Sequence, residues 1–153
     1  MGQIIEGGQA PEFELETAEG PIRSTDFKGK TVVVYFYPKD DTPGCTNEAK
    51  DFSALAPDFA KAGIAVVGVS KDSATSHARF TAKYGLAIPL GSDPEGKVVE
   101  AFESWVEKKL YGREYMGIDR STFLIQDGVV KRIWRKVKVA GHAQAVLDAA
   151  KAL

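Results

Sequence analysis

Two short runs, Thr31-Val-Val-Val-Tyr-Phe-Tyr37 and Ile64-Ala-Val-Val-Gly-Val69, constrain this chain more than anything else in its sequence. Both are apolar on the two faces of the pleat, so each must lie inside a sheet that is covered above and below. Between them the apolar period changes to 3.6. Ala49, Phe52, Leu55 and Ala56 form one helical stripe, which Cys45 opens, Pro57 divides into two helices and Gly63 ends. After the second run, Asp72-Ser73 can cap a helix that carries Ala78, Phe80, Ala82 and Tyr84 and stops at Gly85. Strand, helix and strand in this order predict a parallel βαβ unit.

The pattern continues with a short strand at Ile88-Pro-Leu90 and a helix that starts at Pro94 and carries Val98, Val99, Ala101 and Phe102. Residues 104–119 mix aromatic, charged and turn-forming residues and are expected to form a long ordered loop. Ser121–Ile125 and Val129–Val139 read as two strands joined by Asp127-Gly128, a favoured two-residue hairpin turn, and Ala143–Leu153 reads as a closing helix. Near the start, Phe13 and Leu15 alternate and Gly20-Pro21 makes a turn, which predicts a short hairpin. The expected fold is α/β and thioredoxin-like: a central, mainly parallel mixed sheet, helices on both faces and an N-terminal hairpin extension. No repeat or linker divides the chain, so residues 1–153 are expected to form a single domain.

Lys+Arg of 20 against Asp+Glu of 21 gives a net charge of -1, which provides no long-range attraction to nucleic acid or an anionic membrane. The longest apolar run, Val32–Tyr37, is far short of the roughly 20 residues of a membrane-spanning helix. The opening MGQIIEGGQA has no basic and apolar leader, and Glu6 stands where acylation of a Met-Gly start prefers Ser or Thr; the expected location is the cytoplasm. Cys45 is the only cysteine, so no intramolecular disulfide can form, and with His77 and His142 the only imidazoles no metal or other cofactor is expected.

Cys45 is placed after a buried strand and in the first turn of a helix, at the sheet edge where open α/β folds bind ligands. Free amide N–H groups and the helix dipole at such an end stabilise a thiolate. A lone cysteine is more often a small buried apolar residue, but Pro43-Gly44 before it and polar Thr42, Thr46 and Asn47 around it favour a nucleophile. Thr42 occupies the place of the first thiol in a C-x-x-C motif, so disulfide exchange within the motif is excluded. Its hydroxyl can donate to a thiolate or to an oxygen beside it, or can simply cap the turn. A cysteine hydrolase would need a histidine base; His77 reads as a solvated mid-helix residue, and His142 lies far along the chain near the start of the last helix.

Tyr35-Phe36-Tyr37-Pro38-Lys39-Asp40-Asp41-Thr42-Pro43-Gly44-Cys45-Thr46 contains the P-x-x-x-T-x-x-C signature of peroxiredoxins and resembles the peroxiredoxin Q, or bacterioferritin comigratory protein, subfamily. Arg120-Ser-Thr-Phe-Leu-Ile125, Gly117, Lys136-Val-Lys138 and Gly141-His-Ala143 extend the resemblance over nearly the whole chain. It implies a thiol peroxidase in which Cys45 attacks the peroxide, Pro38 shields it, Thr42 binds the peroxide, and Arg120 pairs with thiolate and substrate. From the residues alone, Arg23 and Arg113 are also open to the last role. Gly44 and Glu48, the latter one helical turn after Cys45, are supporting candidates.

The chain departs from the subfamily at Lys50, where many members carry a resolving cysteine, and it has none on the next helix, where Phe80, Lys83 and Tyr84 stand. The resemblance then implies a one-cysteine cycle: a Cys45 sulfenic acid resolved by an external thiol, from thioredoxin or from glutathione with glutaredoxin. It also implies a monomer or weak homodimer. The alternative is a noncatalytic redox-sensing or thiol-binding module of the same fold. Gly29-Lys30-Thr31 is not a phosphate-binding loop, because Ser24 replaces the first glycine and a strand follows. The five basic residues in Lys131–Lys138 suit a charged hairpin face better than a nucleic-acid site. Trp105, Leu110, Tyr111, Tyr115 and Met116 suit an apolar rim for alkyl hydroperoxides or a reductant, or equally a set of loop anchors.

Overall fold

Strand β3 (Thr31–Phe36) lies at the centre of a five-stranded sheet in the computed structural model, which describes residues 3–153. The Met1-Gly2 start considered above lies outside the described residues. A small antiparallel pair, β1 (Glu14–Leu15) and β2 (Ile22–Arg23), precedes β3 as the expected hairpin. Helices α1 (Pro43–Ala54) and α2 (Ala56–Lys61) follow, parted before Pro57, and lead to β4 (Ile64–Ser70), α3 (Ala74–Tyr84) and β5 (Leu90–Ser92). Then come α4 (Lys97–Ala101), β6 (Trp105–Leu110), β7 (Arg113–Ile118), β8 (Ser121–Gln126), β9 (Val129–Trp134) and α5 (His142–Lys151). The sheet order is β5-β4-β3-β8-β9, with β5, β4 and β3 parallel and β8 antiparallel to both of its neighbours, β3 and β9.

The side chains of β3 alternate between two cores, which explains why the run is apolar throughout. Val33 and Tyr35, with Tyr37 beyond the strand's end, pack under α1, α2, α3 and α5; Val32, Val34 and Phe36 pack against Phe13, α4 and Phe102. The Tyr35 ring stacks on Phe52 with centroids 4.6 Å apart and lies across Gly68, where a Cβ would come within 2.7 Å of it. Glycine in β4 is therefore a requirement of close approach. Ser73 caps α3 by accepting from the Ser76 amide at 3.1 Å, and Gly85 ends it in the left-handed conformation, both as the sequence predicts.

Several expectations need correction. Residues 104–119 are chiefly a β-hairpin, β6–β7, whose turn is Tyr111-Gly112 at φ 52° and 76°. Two positive φ values are what a tight two-residue hairpin turn demands, but a tyrosine at the first of them gave no signal for it. The third sheet strand is Leu90–Ser92, because Pro89 cannot donate to the ladder. Helix α4 begins at Lys97, beyond the turn closed by Gly96 N–H to Asp93 O at 2.9 Å, and α5 spans His142–Lys151. Strand β9 ends at Trp134, since Arg135 turns inward to donate to Glu103 O at 2.9 Å and Lys136 takes φ 47°. None of the helices is long and apolar enough among the described residues to cross a membrane.

Candidate active site

Pro38 ends the pairing of β3, and the chain turns through Asp40 and Asp41 into α1, whose N-cap is Thr42 and whose first residue is Pro43. Cys45 is thus the third residue of α1. The first amide to bond back is that of Thr46, to Thr42 O at 2.8 Å, so the amides of Gly44 and Cys45 come before the ladder and face the end of the helix. Cys45 is nevertheless only 2% exposed. The buried reading of this cysteine therefore holds, and the helix end that the reactive reading expects is also present: Cys45 packs with Tyr35, Tyr37 and Ala49 while standing at the positive end of a dipole.

Arg120 reaches the sulfur from the turn between β7 and β8. Its Nη2 donates to Cys45 Sγ at 3.3 Å and its Nη1 to Glu48 Oε1 at 2.7 Å. Gly44 makes room for it, because a Cβ there would meet Nη2 at 3.2 Å. The backbone on either side is tied down: Val137 N–H donates to Arg120 O at 2.9 Å, Asp119 N–H to Ser104 O at 2.7 Å, and the hydroxyls of Ser104 and Ser121 bond at 2.7 Å. The Lys136–Lys138 segment thus positions the arginine through its backbone. Arg23 instead pairs with Glu14 at 3.2 Å, and Arg113 is exposed in the distal hairpin. Of the three arginines the sequence left open, Arg120 is the one bonded to Cys45.

Glu48 lies beneath this fork, 1% exposed, with Oε2 lacking any hydrogen-bond partner among the described residues. Burial pushes its carboxyl up to about 7, against the pull of the Arg120 guanidinium. Burial would also weaken the charge of Arg120, but the Glu48 carboxylate and then Cys45 outweigh it and raise the guanidinium further. His142 is held down to about 4 by burial and by the nearby Arg120, and its Nε2 bonds the Thr122 hydroxyl at 2.8 Å. Neither imidazole is hydrogen-bonded to Cys45, which removes the geometry a cysteine hydrolase needs.

The sequence reading missed a second buried cluster. His77 is 3% exposed, not solvated: Nδ1 lies 2.7 Å from Asp40 Oδ2 and Nε2 lies 3.1 Å from Gly91 O. Asp40 also accepts from the Tyr37 hydroxyl at 2.6 Å and the Ser76 hydroxyl at 2.8 Å, while Asp72 Oδ2 accepts from Asp40 N–H at 2.9 Å and Ser70 Oγ at 2.6 Å. Burial pushes the Asp40 carboxyl up, but the bonds from His77 and Tyr37 outweigh it and hold it below its usual value. Asp40, Asp72 and His77 offer ligand atoms within 4.8 Å of one another, but protein donors already occupy them, so the cluster fits a metal poorly. The available signal was the spacing of His77, Phe80 and Tyr84 on the buried stripe of α3.

Around the mouth, Pro38 is exposed, and Thr42 donates its hydroxyl proton to Lys39 O at 2.8 Å, closing the turn. Asp41, at φ 57°, accepts from Lys83 Nζ at 2.7 Å and the Tyr84 hydroxyl at 2.5 Å. Lys50 is exposed and stands 5.9 Å from the centre of the Tyr84 ring. The aromatic set divides: Trp105 is an anchor with Lys71 Nζ 4.3 Å above its ring, whereas Leu110, Tyr111, Tyr115 and Met116 are exposed.

Comparison with known proteins gives this arrangement a context. Residues 7–133 match the AhpC/TSA family. The chain is 56% identical over 125 residues to peroxiredoxin Bcp of Xanthomonas campestris, covering 81% of this chain and 78% of that protein. It is 47% identical over 147 residues to peroxiredoxin Bcp of Bacillus subtilis, covering 95% and 94%. Among solved structures, the bacterioferritin comigratory protein of Xanthomonas campestris, determined as trapped intermediate and ligand complexes in work on its alkyl peroxide reduction activity, superposes with a TM-score of 0.87 at 50% identity, covering 92% of this chain and 90% of that one.

Proposed function

This chain belongs to the AhpC/TSA family, as a peroxiredoxin of the Bcp or Q type with a single cysteine, and on that footing we propose that it reduces hydrogen peroxide and small organic hydroperoxides through a Cys45 sulfenic acid resolved by an external thiol. The observation that carries this reading is the donation of Arg120 Nη2 to Cys45 Sγ at 3.3 Å at the amino end of α1. Guanidinium and helix end both stabilise the thiolate. The thiolate attacks the terminal oxygen of the peroxide; the S–O bond forms, the O–O bond breaks, and the other oxygen leaves with the electron pair and a proton as water or alcohol. Sulfur loses two electrons and the peroxide gains them.

The donors at the site suit the charge that develops in this step. The free amides of Gly44 and Cys45 and the Arg120 guanidinium stabilise the oxygens as they become negative. Thr42, whose proton is given to Lys39, retains lone pairs that accept from the peroxide O–H and so orient it. Pro38 shields the mouth from water. Gly44 admits the guanidinium and Glu48 holds its other nitrogen.

With no second cysteine, an outside thiol attacks the sulfenic sulfur and releases water, and a second thiol attacks the mixed disulfide to regenerate Cys45 and a disulfide product. Thioredoxin, or glutathione with glutaredoxin, supplies these thiols to a monomer or weak homodimer in the cytoplasm. The test is peroxide consumption with each donor. Many equivalents per Cys45 from wild type, and none above background from Cys45→Ser, support the reading; consumption that stops at one equivalent with every donor overturns it in favour of a sensor.

A further inference from the structure

Arg120 binds two acidic groups on one face of α1, Glu48 Oε1 at 2.7 Å and Cys45 Sγ at 3.3 Å. Residues three apart on a helix are neighbours. One guanidinium brings a single positive charge, whereas an ionised thiol and an ionised carboxyl would bring two negative ones. Two buried anions that share one cation do not both ionise freely.

The hydrogen bonding around Glu48 says which member holds the proton. A buried carboxylate is ordinarily satisfied on both oxygens, yet Oε2 has no partner among the described residues, and the fully buried hydroxyl of Tyr35 has none either. A neutral carboxylic acid, with Oε1 accepting from Arg120 and the proton on Oε2, suits this site better than an anion.

We propose that Glu48 is the proton-holding partner of Cys45: when the thiol ionises, its proton passes to Glu48 instead of to solvent. The one shared proton has two places, on the sulfur beside a carboxylate or on Glu48 beside a thiolate, and the second is the reactive state. With the guanidinium, both arrangements carry zero net charge, so the thiolate forms without leaving an uncompensated charge in the core. Arg120 then faces a single anion, the thiolate, while still donating to Oε1 of the neutral acid. Asp51 on α1 faces Glu48, Tyr35 on β3 faces Glu48 and Cys45, His142 on α5 faces Arg120, and Lys108 on β6 faces Cys45 and Arg120. The elevation of the Glu48 carboxyl to about 7, caused first by burial, places its proton exchange near neutrality. The inference rests on the reading of Cys45 as the nucleophile and deepens it: Glu48 acts through Arg120 and the proton, so it is a positioning residue.

The test is a pH titration of the reduced protein without peroxide. Thiolate is followed by its ultraviolet absorbance, and Glu48 by the infrared carbonyl stretch of a neutral carboxylic acid. In wild type the thiolate absorbance should appear while the neutral-acid band is still present, so that both signals coexist across neutrality. Cys45→Ser leaves Glu48 and Arg120 in place but removes the competing anion, and the carboxyl midpoint should fall by about one to three units. In Glu48→Gln the acid band should vanish and thiolate formation should release a proton to solvent. A carboxyl midpoint unchanged in Cys45→Ser overturns the proposal, and that variant decides the matter even if Glu48→Gln fails to fold. Coupled titration without peroxide turnover would reject the peroxidase reading alone; turnover with independent titrations would reject this proposal alone.

Discussion

Asp40 and Glu48 are buried carboxyl groups on either side of Cys45 in the sequence, and the fold treats them in opposite ways. Asp40 accepts from Tyr37 on one oxygen and from His77 and Ser76 on the other, and these bonds hold it below its ordinary value. Glu48 accepts on one oxygen only, and burial holds it up near 7. The satisfied cluster joins the turn before α1 to the ends of β4, α3 and β5 and fixes where Cys45 stands. The unsatisfied one lies under the sulfur and remains able to exchange a proton. A buried polar network rigidifies when complete, whereas a member left short keeps an unpaired group at a cost.

The largest effect that would break this contrast is on folding. His77→Leu leaves Asp40 buried without its main partner and should cost about 3–5 kcal/mol in urea unfolding. A loss below about 1 kcal/mol, the range of an exposed ion pair, would mean that the cluster is not the anchor described here. Next, Arg120→Met removes the donor to Cys45 and should slow single-turnover oxidation of the thiol by about 10²–10³-fold. His77→Leu protein that remains folded should lose less than that, and an equal loss would erase the division between anchoring and reacting clusters.

Glu48 and His142 sharpen the comparison through pH. Glu48 has a folded value raised from 4.5 to about 7, so the native state binds more protons than the unfolded one in that interval, and its contribution to stability falls as pH rises across it. His142 is lowered from 6.5 to about 4, so the unfolded state binds more protons there, and its contribution rises with pH across that window. Each is worth on the order of 3 kcal/mol at most, and in wild type they oppose one another. Relative to wild type, Glu48→Gln should gain stability from pH 4.5 to 7, and His142→Asn should gain it as pH falls from 6.5 to 4. Parallel pH profiles for all three proteins would contradict both assignments. The smallest effect belongs to the exposed Asp41–Lys83 pair: Lys83→Met should leave the urea midpoint where it is.

Local features were legible in the sequence. β3 and α1 follow from apolar period, and the Pro-x-x-x-Thr-x-x-Cys spacing brought Thr42 and Cys45 to one turn because that turn is built from consecutive residues. Arg120, which lies 75 residues from Cys45 in the chain, needed the family resemblance to single it out from Arg23 and Arg113. His77 was misread because its neighbours Ser76 and Arg79 are polar, while the partner that buries it, Asp40, lies 37 residues away. The β6–β7 hairpin was missed for a different reason: Tyr111 accepts a positive φ that tyrosine seldom adopts, so the turn lacked its usual residue. The charge balance of Cys45, Glu48 and Arg120 appears only when three side chains from two elements are seen together.

The most direct test of the central claim is intact-mass analysis through one cycle. Reduced protein is treated with one equivalent of hydrogen peroxide, then with glutathione, then with excess dithiothreitol. The account predicts one added oxygen on Cys45, its replacement by one glutathione, and return to the starting mass, with no change at any step in Cys45→Ser. An oxygen that glutathione does not displace, or one carried by another residue, would contradict it.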